Sequence, residues 1–96
     1  MTDYIFLMHD DAISEDVAWE PYLDDLKRRG CFQGGSAIGD GLCARKNGPP
    51  AAVTAQLTGF IRIIADSFDQ ARSLLAGNPH FEAGGTVEIR ELPRTD

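Results

Sequence analysis

The chain has 96 residues, of which 43% are hydrophobic and 25% are charged, and its formal net charge is −6. This length predicts one domain, whose core buries roughly 60–70% of the surface that the unfolded chain exposes. An acidic chain gains nothing from neutralising phosphate groups, so the charge argues against nucleic acid and anionic membranes as partners.

The first predicted element is a strand over the apolar run at residues 4–9. Both of its alternating rows are apolar, which is typical of a central strand that is covered on two sides. Ser14 is a suitable N-cap for the helix that follows, and Gly30 suits the position after its end. The i, i+3, i+4, i+7 spacing of an amphipathic helix is found at Trp19, Tyr22, Leu23 and Leu26.

The middle of the chain gives the weakest pattern, because glycines interrupt residues 31–50. Segments 36–38 and 42–45 could be parts of a bent edge strand or hairpin. Residues 54–65 form the longest strand candidate. One of its rows is 57, 61, 63 and 65, and the other contains Phe60, Arg62 and Ile64.

The last third predicts a capped helix, a glycine-rich turn and a closing strand. Ser67 and Gln70 have the spacing of a capping box, and we expect the helix to end at Gly77. Gly84-Gly85 precedes a strand, not a helix, which favours a bulge or tight turn over a phosphate cradle. Residues 86–92 form the strand, with one row at Val87 and Ile89 and the other at Glu88, Arg90 and Leu92.

The resulting order, β-α-β-β-α-β, predicts an α+β domain with a ferredoxin-like fold. Its four-stranded antiparallel sheet has both helices on one face, and the first and third strands are central. The uncovered face must then carry apolar side chains from both central strands, which are costly to leave in water. We therefore predict a homodimer in which two sheets pack face to face, with a polar-lined cavity between the sheets or at their rim.

The sequence also lacks the features of an export signal or a membrane anchor. No basic segment precedes the first apolar run, no small-residue cleavage site follows it, and no apolar run is long enough to cross a bilayer. Cys31 and Cys43 match no zinc or redox spacing and predict free thiols. We expect a cytoplasmic protein.

The topology brings several ionisable residues to one end of the sheet. The first strand ends at His9, followed by Asp10 and Asp11, and the second helix returns to the same end near Asn78 and His80. An imidazole beside a carboxylate can take up or release a proton near neutral pH. The candidate catalytic residues are therefore His80, His9 and Asp10.

Each of these residues has a structural alternative. His80 could be a surface histidine in a loop, and His9 could be a hydrogen-bonded residue at a strand end. Asp10 and Asp11 could begin a turn or cap the helix. None of them has a diagnostic metal-ligand spacing, so the sequence predicts no metal site and no cofactor.

A second set of charged residues lies on the predicted uncovered face. Arg62, Glu88 and Arg90 could bind an anionic ligand there. They could equally pair with one another across strands, which is the interpretation we favour. Trp19 and Tyr22 are most simply core residues.

Segments along nearly the whole chain resemble the YCII-related family, near its DGPF branch. They are YIFLMHDD, the helix with Trp19 and Tyr22, FQGGSAIG and the ending NPHFEAGGTVEIREL, which is the most specific. The resemblance implies a single YCII-related domain over residues 1–96 with a dimeric α/β-barrel fold. That architecture is similar to small bacterial isomerases and monooxygenases acting on aromatic or lactone-like molecules. It also implies a histidine–aspartate site, which here falls on His80 or His9 with Asp10.

One segment departs from the DGPF branch. The stretch that names the branch resembles D-G-P-F-x-E-T-K-E and precedes the third strand, whereas residues 47–60 here read NGPPAAVTAQLTGF. Only Gly48-Pro49 agrees, so no role of the missing acidic and basic residues is carried over.

Two functions fit these observations. In the first, the chain is a cofactor-free lyase or isomerase that acts on a small molecule, with His80 or His9 as base and Asp10 orienting it. In the second, it is a non-catalytic dimer that binds a small molecule or a regulatory protein. The resemblance links this second function to extracytoplasmic-function sigma factors, because some relatives are encoded beside them or fused to them.

Overall fold

The computed structural model of this chain describes residues 1–13, 18–53 and 56–94. Four antiparallel strands form one sheet in the order β2-β3-β1-β4. In chain order the elements are β1 (Thr2–His9), α1 (Glu20–Arg28), β2 (Phe32–Ala37), β3 (Leu57–Ala65), α2 (Phe68–Ser73), α3 (Pro79–Glu82) and β4 (Val87–Leu92). The predicted ferredoxin-like α+β fold is confirmed, with β1 and β3 in the centre.

Strand β1 divides the sheet into a covered and an open face. Tyr4, Phe6 and Met8 are buried, whereas Ile5 and Leu7 between them are only half-buried. The buried row packs with the helices in one core, because alternate side chains of a strand point to opposite faces. The buried members of this core are Tyr4, Phe6, Met8, Tyr22, Leu26, Ile61, Ile63, Ala65, Ala71, Leu74 and Leu75.

Helix α1 shows the predicted amphipathic spacing, with Tyr22 and Leu26 buried. It begins at Glu20, and Pro21 lies in its first turn, where a missing N–H costs no helical hydrogen bond. Gly30 follows the helix with φ +74°, as expected for a residue that must enter the left-handed region. The predicted N-cap, Ser14, lies outside the described residues.

The edge strand β2 begins earlier than predicted. It covers Phe32–Ala37, and residues 42–45, which could have been part of an edge strand or hairpin, form no strand. Phe32 pairs with Ile63 and packs against the core, which fixes the start of the strand. Gly34, at φ +125°, allows the register shift that follows Phe32. Strand β3 likewise begins at Leu57, not at residue 54, and residues 54–55 lie outside the description.

The last third contains one helix more than predicted. Ser67 caps α2 as expected, since its hydroxyl accepts a hydrogen bond from the Gln70 amide at 3.1 Å. However, α2 already ends at Ser73, before the expected Gly77. The next four residues after Asn78 form α3, whose start is capped by the Asn78 side chain accepting from the Phe81 amide at 3.0 Å. His80 therefore lies in a short helix and not in a loop.

The sheet face opposite the helices, hereafter the open face, is uncovered in the described part of the chain. Its side chains are the partly exposed rows of β1, β3 and β4, and they mix apolar with charged residues. They include Asp3, Ile5, Leu7, His9, Phe60, Arg62, Ile64, Glu88, Arg90 and Leu92. None of the helices in the described ranges is long and apolar enough to cross a membrane.

Candidate functional site

A cavity of about 370 Å³ lies on the helix-covered side of the sheet, next to the β2 edge. This volume is sufficient for a small organic molecule, since ligand pockets measure roughly 300–1,000 Å³. Its wall is mainly apolar and includes Met8, Trp19, Leu23, Phe32 and Ile61. His80 and Ser36 are among the few polar side chains that line it.

His80 is only 4% exposed, and its ring is held by the backbone. Its Nε2 lies 3.1 Å from the carbonyl oxygen of Thr86. A carbonyl oxygen can only accept, so Nε2 carries the proton and Nδ1 has a free lone pair in the neutral ring. Among the described residues the ring of His80 forms its hydrogen bond through Nε2, which leaves Nδ1 for a molecule in the cavity.

Asp11 supplies the carboxylate beside this ring. Its Oδ1 accepts from the Thr86 amide at 2.7 Å, and its Oδ2 accepts from the Thr86 hydroxyl at 2.6 Å. The hydroxyl and then the amide of Thr86 hold the pKa of the Asp11 carboxyl below its usual range. Asp11 is therefore an anion at neutral pH, with Oδ1 3.7 Å from Nε2 of His80.

His9 lies at the same end of the sheet as His80, as the topology predicts, but it serves the other face. Its Nε2 donates to Glu88 Oε1 at 3.0 Å on the open face. Its backbone amide donates to the Thr86 carbonyl at 3.0 Å, the same oxygen that accepts from His80. His9 does not line the cavity.

Asp10 is exposed, and its backbone amide donates to the Gln56 carbonyl at 2.8 Å. Within the described residues its carboxylate contacts neither histidine. The structure thus brings together His80 and Asp11, and it leaves Asp10 outside that pair.

The three charged residues predicted on the uncovered face lie there, outside the cavity. Arg90 Nη1 is 3.0 Å from Glu88 Oε2, so these two pair along β4 and not across strands. Arg62 instead donates to the Gln33 carbonyl at 2.8 Å. The hydrogen bond from His9, and then that from Arg90, lowers the pKa of the Glu88 carboxyl. A ligand-binding role for Arg62, Glu88 and Arg90 stays a prediction.

Sequence reasoning placed Asp11 at this end of the sheet but did not select it as a candidate. It missed three other residues of the site, which are Trp19, Ser36 and Thr86. Asp11 was expected to begin a turn or a cap, and Trp19 to be core, whereas Trp19 is partly buried and also lines the cavity. For Asp11 and Thr86 the deciding feature is the strand register, which the sequence alone does not show. Met8 pairs with Val87, which places the residues after β1 beside those before β4.

No group of three or more His, Cys, Asp or Glu residues that could hold a metal ion occurs in ranges 1–13, 18–53 and 56–94. Both cysteines are free, Cys31 being half-buried and Cys43 exposed. The acid–base pair at the cavity consists of His80, which lines it, and Asp11, which lies beside the His80 ring.

Comparison with known proteins gives one family and one informative structure. The profile of the YCII-related domain family matches residues 6–95. The chain is similar to 5-chloro-2-hydroxyhydroquinone dehydrochlorinase from Burkholderia phenoliruptrix AC1100, solved in complex with 2,5-dihydroxybenzoquinone. The TM-score is 0.61 at 21% identity, over 97% of this chain and 95% of that one. At this identity the similarity establishes a shared fold. No curated protein matches the sequence significantly.

Proposed function

This chain belongs to the YCII-related family, and we propose that it is a small acid–base enzyme. It acts as a lyase or isomerase on a cyclic or aromatic molecule, with His80 as the proton acceptor. One observation carries the proposal: a buried histidine lines a cavity of about 370 Å³ while a fixed carboxylate lies 3.7 Å from its Nε2. Histidine is the side chain that most often acts as a general base, and a nearby carboxylate stabilises its protonated form.

The reaction begins when Nδ1 of His80 takes a proton from a carbon atom of the substrate. The electrons of the broken C–H bond form a double bond, and a leaving group departs with its electron pair from the neighbouring carbon. In an isomerase, the imidazolium returns the proton to a different carbon. The anionic Asp11, 3.7 Å from Nε2, stabilises the imidazolium that forms.

The cavity wall favours a flat, largely apolar ring. Trp19 and Phe32 supply aromatic surface, and His80 supplies polar contacts. The dehydrochlorinase of similar fold was solved with a dihydroxybenzoquinone. This supports the choice of a ring compound as a probe.

The experiment uses three probes: 2,5-dihydroxybenzoquinone, 5-chloro-2-hydroxyhydroquinone and an unsaturated five-membered lactone. Binding is measured as a rise in melting temperature, and proton abstraction as exchange of C–H for C–D in D2O, followed by NMR. We expect at least one probe to bind and to exchange. His80→Ala should slow that exchange by roughly 100-fold or more, which is the range of general base catalysis.

His9→Ala is the matched control, because it removes the other imidazole at the same end of the sheet. It should leave binding and exchange unchanged. Wild-type exchange rates in His80→Ala would refute the proposed base. Binding without any exchange in the wild type would favour the non-catalytic binding protein instead.

We further propose that the protein is a cytoplasmic homodimer that covers its open face with a second copy. Ile5, Leu7, Phe60 and Ile64 form partly exposed apolar surface there, which is typical of an interface. Sedimentation of the purified protein should give the mass of two chains, and Leu7→Asp should reduce it to one. A single-chain mass for the wild type at tens of micromolar would contradict the dimer.

A further inference from the structure

The carboxylate of Asp11 is held on both oxygens by one residue. The Thr86 amide donates to Oδ1 at 2.7 Å, and the Thr86 hydroxyl donates to Oδ2 at 2.6 Å. Two donors fix the rotation of a carboxylate group, whereas a single donor leaves it free to turn. The side chain of Asp11 is half-exposed, so without these bonds it would be free to turn into solvent.

The same residue also holds His80. Its carbonyl oxygen accepts from Nε2 at 3.1 Å and from the His9 amide at 3.0 Å, using both lone pairs. The bond from His9 ties this carbonyl to the end of β1. The position of Nε2 is therefore set by the sheet and not by a mobile side chain.

Gly85, which precedes Thr86, allows the backbone to pass this close to the His80 ring. An ideal Cβ on Gly85 would overlap Nε2 of His80 and would lie 2.6 Å from both Cδ2 and Cε1. Real Cβ atoms do not approach a ring so closely, so only glycine at position 85 lets the backbone pass against the imidazole. Gly84, at φ +86°, makes the turn that leads into this contact. Residues 84–86 thus together hold His80 and Asp11 in place.

We propose that Thr86 is the positioning residue of this site. Its carbonyl holds His80 with the proton on Nε2 and Nδ1 free, and its amide and hydroxyl hold Asp11 beside the ring. This inference rests on the proposed role of His80 as the base. It adds a residue that does not line the cavity and that sequence reasoning did not select.

The test compares Thr86→Val with Thr86→Ser. Valine has nearly the shape of threonine but no hydroxyl, whereas serine keeps the hydroxyl, and both keep the backbone groups. The readout is the NMR titration of the Asp11 carboxyl in the free protein. Because the Thr86 hydroxyl is the largest cause of the lowered pKa, that pKa should rise toward its usual value in Thr86→Val and stay low in Thr86→Ser.

A second readout is the ¹⁵N spectrum of the His80 ring above neutral pH, which reports which nitrogen is protonated. We expect the Nε2–H form in the wild type, in Thr86→Val and in Thr86→Ser, because all three keep the carbonyl of residue 86. Gly85→Ala should lose this single form, since its methyl group displaces the ring. A ¹H–¹⁵N spectrum of each variant shows whether it is folded.

With a probe that exchanges, Thr86→Val should lower the exchange rate roughly 10- to 100-fold with little change in KM, and Thr86→Ser should restore it. An Asp11 titration that is the same in Thr86→Val and wild type would overturn the inference, as would a mixture of ring forms in the wild type. The two NMR readouts need no ligand. If they come out as expected while the wild type exchanges no probe, the placement by Thr86 is supported and the proposed enzyme function fails.

Discussion

The covered and the open face of the sheet hold their histidines in different ways. On the covered face, the side chain of His80 is 3% exposed and its Nε2 is bound to a backbone carbonyl. On the open face, the side chain of His9 is 28% exposed and binds the carboxylate of Glu88. A backbone partner is fixed by the fold, whereas a side-chain partner can rotate away, so the two imidazoles differ in how firmly they are oriented.

Under the proposed function, this difference distinguishes the catalytic base from a supporting histidine. A catalytic base must be held close to the geometry of the reaction, and it works best where water is scarce. His80 meets both conditions. His9 meets neither as long as the open face is in contact with solvent. The two faces also differ in packing, since the same strand buries Phe6 fully and Leu7 only in part.

The largest effect on stability is expected from substituting two adjacent residues of β1 whose side chains point to opposite faces of the sheet. Phe6→Ala should lower the free energy of unfolding by about 3–5 kcal/mol, because it leaves a cavity in the core. Leu7→Ala should cost clearly less when the protein is dilute. Urea denaturation of both variants, followed by circular dichroism, provides the measurement.

Repeating these denaturations at several protein concentrations sharpens the comparison. If a second copy covers the open face, the loss of unfolding free energy in Leu7→Ala should depend on the protein concentration. Most of the loss in Phe6→Ala should not, because Phe6 lies in the core of the single chain. Equal costs for the two variants in dilute solution would show that the faces are not as different as the burial suggests.

An intermediate effect on stability is expected when the pH is lowered. The pKa values of Asp11 and Glu88 are lowered in the folded chain, so both carboxylates stabilise it above the usual carboxyl pKa. That contribution is lost as the pH falls below the usual carboxyl pKa and through the lowered values. Melting temperatures of Asp11→Asn and Glu88→Gln should therefore fall less steeply with acid than those of the wild type. A Glu88→Gln curve parallel to the wild type would show that the His9–Glu88 contact is not maintained in solution.

The smallest effect is expected from His9→Gln. This substitution changes the hydrogen bond between His9 and Glu88, whose side chains are both partly exposed. Contacts of this kind contribute little to stability. Its melting temperature at neutral pH should be close to that of the wild type, and its His80 ring should keep the Nε2–H form. Loss of that form in His9→Gln would mean that the two imidazoles are coupled through Thr86, and the contrast between the faces would no longer hold.

The sequence predicted the fold wherever hydrophobic alternation was strong. Strand β1, the covered row of β3 and the two rows of β4 follow their patterns, and Ser67 caps α2 as its spacing indicates. Strand β2 was misplaced because Gly34 and Gly35 give no alternation, and its position depends on Phe32 packing beside Ile63. Helix α3 was missed because four residues are too few for a helical period to show.

The site was less predictable than the fold. Chain order was sufficient to bring His80 and His9 to one end of the sheet. It could not distinguish Asp10 from Asp11, because that depends on the register between β1 and β4 and on the Thr86 hydroxyl. The roles of Gly85 and Trp19 depend on close contacts in three dimensions, for which a single sequence gives no periodic signal.

Strand β2 is both a wall of the cavity and an edge of the sheet. It pairs with β3 alone, contains two glycines, and leads into residues 39–53, which are exposed and without strand or helix. Edge strands of this kind fray more readily than central ones. Brief detachment of β2, while β1 and β3 stay paired, would widen the cavity at this edge of the sheet. Amide hydrogens of β2 should then exchange with solvent faster than those of β1, and a bound molecule should slow them selectively.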